Sequence, residues 1–253
     1  MRANNVKDIW ANGGRVVNGW LAIPSSFSAE VMTHAGFDSI TVDMQHGMVD
    51  FQASLPMLQA ISQLDVTPMV RVPWNDPIPI MKALDAGAYG IVCPMINNRE
   101  EAERFVSACR YGPDGFRSFG PARAAMYGGV DYAEKANETI ITLAMIETKE
   151  AMGNLDEIMS TPGLDAIYVG PADLSIGLGY APSGDPTEPD VLRAFADILA
   201  AAKKHGVVAC SHTAGGDMAN RLFEQGFQLC TIANDTRLLA MKAAEEIAAA
   251  RGK

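Results

Sequence analysis

The chain has 253 residues, 48% hydrophobic and 20% charged, with a formal net charge of -10. That apolar content supplies a large core and carries no mark of disorder. The acidic balance argues against nucleic acid or an anionic membrane as a partner. The N-terminal stretch MRANNVKDIWANGG lacks the apolar centre of a signal peptide, and no apolar run is long enough to span a bilayer, so a cytoplasmic protein is expected.

Short β-rich runs recur along the chain: Gly19–Ile23, Ser39–Met44, Pro68–Val72, Gly90–Ile96, Thr142–Ile146, Ala166–Val169, Val207–Ser211 and Gln228–Ile232. Most are apolar at odd and even positions alike, the pattern of parallel strands covered on both faces. Helical segments separate them. Phe51–Leu64 sets Leu55, Leu58 and Ile61 in one stripe, and Glu100–Cys109 and Val191–His205 have the same character. A junction recurs at Ala35-Gly36-Phe37-Asp38, Ala86-Gly87-Ala88-Tyr89, Pro162-Gly163-Leu164-Asp165 and Gln225-Gly226-Phe227-Gln228. Each follows a helix and leads into a strand, where glycine takes the left-handed conformation that ends the helix. Arg110–Ala136, rich in Gly, Arg and Tyr, is a long insertion after the fourth strand, and such loops usually serve function. Cys93, Cys109, Cys210 and Cys230 show no CxxC spacing and read as buried free thiols.

Eight strands in strict alternation with helices predict an α/β (β/α)8 TIM barrel, formed as a single domain over residues 1–253. The doubly wound alternative would carry a dinucleotide glycine fingerprint or a phosphate loop, and neither is present. Barrel chemistry happens at the C-terminal strand ends, and polar residues gather there: Asp43 and His46, Arg71, Glu147, Asp173, His212, and Asn234 with Asp235. Glu147 and Asp173 come from adjacent strands. Two carboxylates at one point repel unless a cation or proton intervenes, so they suit a hard divalent ion, a proton-sharing pair, or two solvated acids. Asp43 three residues before His46 suits a carboxylate orienting a basic imidazole, and equally a chance pairing in a loop. Arg71 closes an apolar strand, where a guanidinium favours an anionic partner, a substrate carboxylate or enolate over a structural salt bridge. Gly170-Pro171-Ala172 opens a helix whose free N–H groups suit a carboxylate.

With these residues in view, the chain resembles the HpcH/HpaI aldolase family of class II, metal-dependent pyruvate aldolases. Four blocks carry the resemblance: Asp43–His46, Arg71-Val72-Pro73-Trp74-Asn75-Asp76, Met145-Ile146-Glu147-Thr148-Lys149-Glu150-Ala151, and Val169-Gly170-Pro171-Ala172-Asp173-Leu174-Ser175. It runs from Asn18 to about Asp235. The resemblance implies that Glu147 and Asp173 ligate Mg2+, Mn2+ or Co2+, with no organic cofactor. A small 2-oxo acid, pyruvate or hydroxypyruvate, would chelate that ion and react with an aldehyde. It further implies Arg71 at the C2 oxygen, His46 as base oriented by Asp43, and the amides of Gly170, Pro171 and Ala172 around the substrate carboxylate. Asp85 matches a family position that reaches a neighbouring subunit's site, and Arg123 is expected to face the second substrate. A homo-oligomer, a hexamer built as a trimer of dimers, is implied as well. One departure is Met145, where some members carry glutamine, so the water network there differs. The competing readings are a Schiff-base aldolase using Lys149, another enolate-forming lyase or decarboxylase on the same barrel, and an inert barrel serving as a binding protein.

Overall fold

In the computed structural model, which describes residues 1–252, all eight expected strands are present. They are β1 Val16–Leu21, β2 Ser39–Asp43, β3 Thr67–Arg71, β4 Gly90–Cys93, β5 Ile141–Ile146, β6 Ala166–Val169, β7 Val208–Thr213 and β8 Leu229–Ile232. Each pairs in parallel with the next, and β1 pairs with β8, which closes the barrel. The four junction glycines all have positive φ: 96° at Gly36, 99° at Gly87, 80° at Gly163 and 118° at Gly226.

Strand limits differ from the expectation for local reasons. β1 ends at Leu21 because the amides of Ala22 and Ile23 turn to the Asp235 carboxylate, at 2.8 and 3.2 Å. β4 ends at Cys93, not at Ile96: Pro94 has no N–H for a ladder, and Met95 takes a φ of 56°. The helix expected to run to Leu64 spans Phe51–Ile61.

Side chains alternate between two apolar compartments. Val16, Trp20, Met69, Leu143, Met145 and Tyr168 fill the barrel interior. Val6, from the helix Asn5–Ala11, belongs to this cluster and closes the end opposite the strand C-termini. The larger cluster lies between the sheet and the outer helices. A polar thread crosses the interior: Asn18 Nδ2 donates to Thr41 Oγ1 at 3.1 Å and to Thr231 Oγ1 at 2.8 Å, and its Oδ1 accepts from Ser39 at 2.8 Å.

The insertion after β4 contains two further helices, Ala122–Gly128 and Tyr132–Thr139. Its arginines are committed to the scaffold. Arg110 pairs with Asp165 at 2.9 Å, and the fully buried Arg117 pairs with Asp85 at 2.8 Å between the rings of Tyr111 and Tyr132. The last helix, Asp235–Ala250, behaves differently from the others. Beyond Asp235 it buries almost nothing, leaving Leu239 65% and Met241 56% exposed.

Candidate active site

The ends of β1, β2, β3, β5, β6 and β7, with the turns after β2 and β6 and Asn234 after β8, surround one cavity of about 220 Å³. Its wall includes Trp20, Asp43, His46, Arg71, Asp173 and His212. A larger groove of about 760 Å³ runs between the helices Pro189–His205 and Gly216–Gln225. That groove lies on the outer face, and its charged pair, Asp185 with Arg221, is a surface ion pair, so chemistry belongs to the smaller cavity.

Arg71 and Asp43 are register partners on β3 and β2. Their side chains form a two-point clamp, with Arg71 Nε 2.8 Å from Asp43 Oδ1 and Nη2 2.6 Å from Oδ2. Trp20 Nε1 adds a third bond to Asp43 at 3.1 Å, and the Arg71 guanidinium lies 4.8 Å from the Trp20 ring centre. Burial alone would raise the Asp43 pKa; the Arg71 contact overrides it and holds the carboxyl below the usual carboxylate value. Arg71 Nη1 is left without a protein hydrogen-bond partner among the described residues.

This corrects the expectation that Asp43 orients the His46 ring. Asp43 Oδ1 accepts from the backbone N–H of His46 at 3.2 Å and of Gln45 at 3.0 Å, so it fixes the turn that carries His46. The His46 side chain is exposed at the cavity rim and has no hydrogen-bond partner among the described residues. The expected preference of Arg71 for a substrate anion over a protein one is corrected too: it holds Asp43 through two nitrogens and has one left to offer.

Glu147 is 3% exposed and stands just behind the wall at Gly170, where an added Cβ would come within 2.5 Å of its Oε2. Its Oε1 accepts the Met95 N–H at 2.8 Å, the contact that the left-handed turn after β4 delivers. Oε2 has no hydrogen bond among the described residues, is not a sealed atom, and lies against Gly170 of the cavity wall. Burial pushes the Glu147 carboxyl up to about 7, the Met95 N–H opposing and the nearby Asp173 charge adding to the rise. Asp173 itself is exposed, in the first turn of the helix Pro171–Gly177. In that turn the Ala172 and Asp173 amides have no helical partner four residues back, as expected of a carboxylate cradle.

These two acids fit a hard divalent ion. One is buried with a carboxylate oxygen unclaimed, the other borders the same cavity, and both are oxygen donors. Among the described residues no group of three or more His, Cys, Asp or Glu forms a closed cage, so the remaining ligand positions would go to water and substrate.

Two expected site residues do not reach this cavity within the chain. Asp85 ends the helix Pro77–Asp85 and pairs with Arg117. Arg123 donates to the carbonyls of Ala86 and Leu58 and to Ser62 Oγ at 2.9 Å, so it caps helix ends on the far side of the barrel. Helices run antiparallel to the strands in this fold, which puts their C-termini opposite the site. Lys149 is exposed on the helix Lys149–Gly153, and among the described residues no lysine lines the cavity.

Sequence did not pick out the lining residues Trp20 and Tyr168, and it placed His212 at the catalytic end without giving it a role. Tyr168 Oη lies 3.2 Å from His212 Nδ1 and 2.7 Å from Thr231 Oγ1. Trp20 stacks on Tyr168 with ring centres 5.7 Å apart and meets the His212 ring edge-on at 5.2 Å. Burial pushes His212 down to about 4, and the Arg71 charge adds to that, so the ring is neutral near pH 7.

Comparison with known proteins places these features in company. A family model described as HpcH/HpaI aldolase/citrate lyase matches residues 19–241. The hydroxypyruvate/pyruvate aldolase of Rhizorhabdus wittichii is 42% identical over 252 residues, covering 98% of this chain and 99% of that protein. The 4-hydroxy-2-oxo-heptane-1,7-dioate aldolase of Escherichia coli is 38% identical over 252 residues, covering 98% of this chain and 95% of that protein. The crystal structure of an HpcH/HpaI aldolase/citrate lyase family protein from Burkholderia cenocepacia superposes with a TM-score of 0.92 at 32% identity, covering 98% of this chain and 100% of that one.

Proposed function

The chain belongs to the HpcH/HpaI aldolase/citrate lyase family, and from that premise we propose that it is a metal-dependent aldolase acting on a small 2-oxo acid and an aldehyde. The observation that carries this reading is the buried Glu147, with one carboxylate oxygen open, set beside Asp173 and Arg71 at a barrel mouth. The relatives named for hydroxypyruvate, pyruvate and a hydroxy-oxo-dicarboxylate support a 2-oxo acid donor. Glu147 and Asp173 would hold magnesium, manganese or cobalt. When bound, such an ion supplies Lewis-acid charge at the carboxylate and carbonyl of the 2-oxo acid.

The chain's own residues supply the rest. Arg71, kept in place by Asp43 and Trp20, presents Nη1 to the C2 oxygen as that oxygen gains charge. In cleavage the C3–C4 bond breaks, and its electron pair moves toward the C2 oxygen beside Arg71. The hydroxyl on C4 gives up its proton to His46, which stands at the rim on a turn fixed by Asp43. Addition is the reverse. The first-turn amides at Ala172 and Asp173, beyond Gly170 and Pro171, receive the substrate carboxylate. Lys149 is not among the residues of the cavity wall, which favours this route over a Schiff base on it.

Two further parts of the reading concern the protein's setting. Exposed apolar side chains on the helix Asp235–Ala250, and Phe119 and Met126 in the insertion, support a homo-oligomer, for which a hexamer is the proposed form. Asp85 would act at a neighbouring subunit's site. The reduced, buried cysteines support a cytoplasmic location, and among the described residues no helix is long and apolar enough to cross a membrane.

Exchange of the pyruvate methyl protons into heavy water, followed by NMR, tests the mechanism. Wild-type protein should exchange them with a divalent ion, lose exchange in EDTA, and form no adduct with borohydride. Glu147→Gln should lose metal-dependent exchange by ~100-fold or more while keeping its far-UV spectrum. Wild-type exchange in that variant would overturn the ligand assignment.

A further inference from the structure

His212 stands at the end of β7, across the barrel from Arg71 on β3. It is a lining residue to which the mechanism above gives no task. Trp20, Met145, Pro171 and Ala172 make most of the neighbouring wall apolar. Asn234 also borders the cavity, but its Oδ1 is taken by the Thr236 hydroxyl and the Arg237 N–H.

The hydrogen-bond thread behind His212 fixes which ring nitrogen carries the proton. Buried donors must find acceptors. Asn18 is oriented by Ser39, whose hydroxyl donates to Asn18 Oδ1, so the Asn18 amide N–H points at Thr231 Oγ1. Thr231 is fully buried, and besides Asn18 its hydroxyl has one hydrogen-bond partner among the described residues, Tyr168 Oη at 2.7 Å. Two hydroxyls at that separation share a hydrogen in either sense, and only one sense leaves none stranded. With Thr231 donating, the Tyr168 hydrogen turns to His212 Nδ1, 3.2 Å away. His212 Nδ1 is therefore the acceptor, and its ring hydrogen sits on Nε2. Nε2 has no protein partner among the described residues and is not among the sealed, unpartnered atoms, so it opens on the cavity.

The geometry points to His212 as the residue that selects the donor substrate: its Nε2–H binds an oxygen on C3 of the 2-oxo acid, favouring hydroxypyruvate over pyruvate. A 2-oxo acid whose C2 oxygen is gripped by Arg71 extends across the mouth toward β7, where a methyl group would leave that hydrogen without a partner. A hydroxyl fills it. The neutral state of the ring suits this task, because a second cation opposite Arg71 would bind anions and not discriminate between a hydroxyl and a methyl. The inference rests on the pocket being a 2-oxo acid site, as proposed above.

Two measurements test it. The first needs no turnover: 15N chemical shifts of the imidazole, assigned by their loss in His212→Gln, should show a neutral ring protonated at Nε2. Protonation at Nδ1 would overturn the assignment. The second compares kcat/KM for hydroxypyruvate and pyruvate with one aldehyde. His212→Phe should lower the hydroxypyruvate-to-pyruvate ratio by about tenfold, chiefly through KM for hydroxypyruvate. His212→Gln, which keeps an N–H donor, should recover part of that ratio. Equal losses on both donors in His212→Phe, or no recovery with Gln, would show a packing role only and overturn the proposal. If the wild type turned over neither donor, the aldolase reading itself would fall, whereas the tautomer measurement would stand apart from it.

Discussion

Asp43 shows how far single residues are legible. Its place at a strand end marked it as a site residue, but its nearest sequence neighbour, His46, suggested the wrong partner. Pairing in a parallel sheet joins residues far apart in the chain, and the Asp43–Arg71 register is set by the whole of β2 lying against β3. The clamp has a consequence for mutagenesis. Asp43→Asn removes charge from a nearly buried pair, 4% exposed at Asp43 and 11% at Arg71, and should cost about 3–5 kcal/mol of stability. In a double-mutant cycle on kcat, Asp43→Asn with Arg71→Lys should lose little more than the worse single variant, because both break one unit. Additive losses would mean that Asp43 acts separately, through the His46 turn. His46 is judged by another readout. His46→Ala should slow methyl exchange by ~10²–10⁴-fold while calorimetry finds metal affinity within about twofold of wild type. A collapse of metal affinity would make His46 a ligand.

At the scale of elements, the repeated junction was the clearest sequence signal, because glycine takes the conformation needed at the least cost. Gly36 has a φ of 96°, and a Cβ there would meet nothing within 4 Å. Gly36→Ala therefore isolates backbone strain from steric clash and should cost about 1–2 kcal/mol by urea denaturation. Gly153→Ala makes the control, also open to within 4 Å but without a positive φ, and should stay within ~0.5 kcal/mol of wild type. Equal costs at both positions would refute strain as the cause. Other elements hid what they carry. Strands apolar on both faces do not reveal which parity points inward, so Trp20 and Tyr168 read as generic core when they floor the site. The insertion misled in the opposite way: its length suggested a functional loop and Arg123 a substrate contact, yet Arg110 and Arg117 form scaffold ion pairs and Arg123 caps helix ends.

For the molecule as a whole, the barrel accepts a poorly solvated acid at its mouth, and stability should register this. In the unfolded chain Glu147 loses its proton near 4.5, but in the folded chain near 7. Between those values the native state holds a proton that the unfolded state has released, so stability without metal falls as pH rises through that window, by on the order of 3 kcal/mol. His212 works in the other direction. Its folded pKa of about 4 lies below the ordinary histidine value of 6.5, so the unfolded state binds the extra proton and stability falls as pH drops from 6.5 toward 4. Melting curves of the free protein alone would mix the two. A divalent ion separates them, because it competes with the proton on Glu147, whereas His212 contributes alike with and without metal. The rise in melting temperature on adding manganese should therefore be small at pH 6 and grow to a plateau above about pH 8. In Glu147→Gln the rise should be much reduced and nearly flat with pH. A manganese shift that was as large at pH 6 as at pH 8 in the wild type would mean that the ion binds without displacing a proton from Glu147, and the buried acid would then be structural.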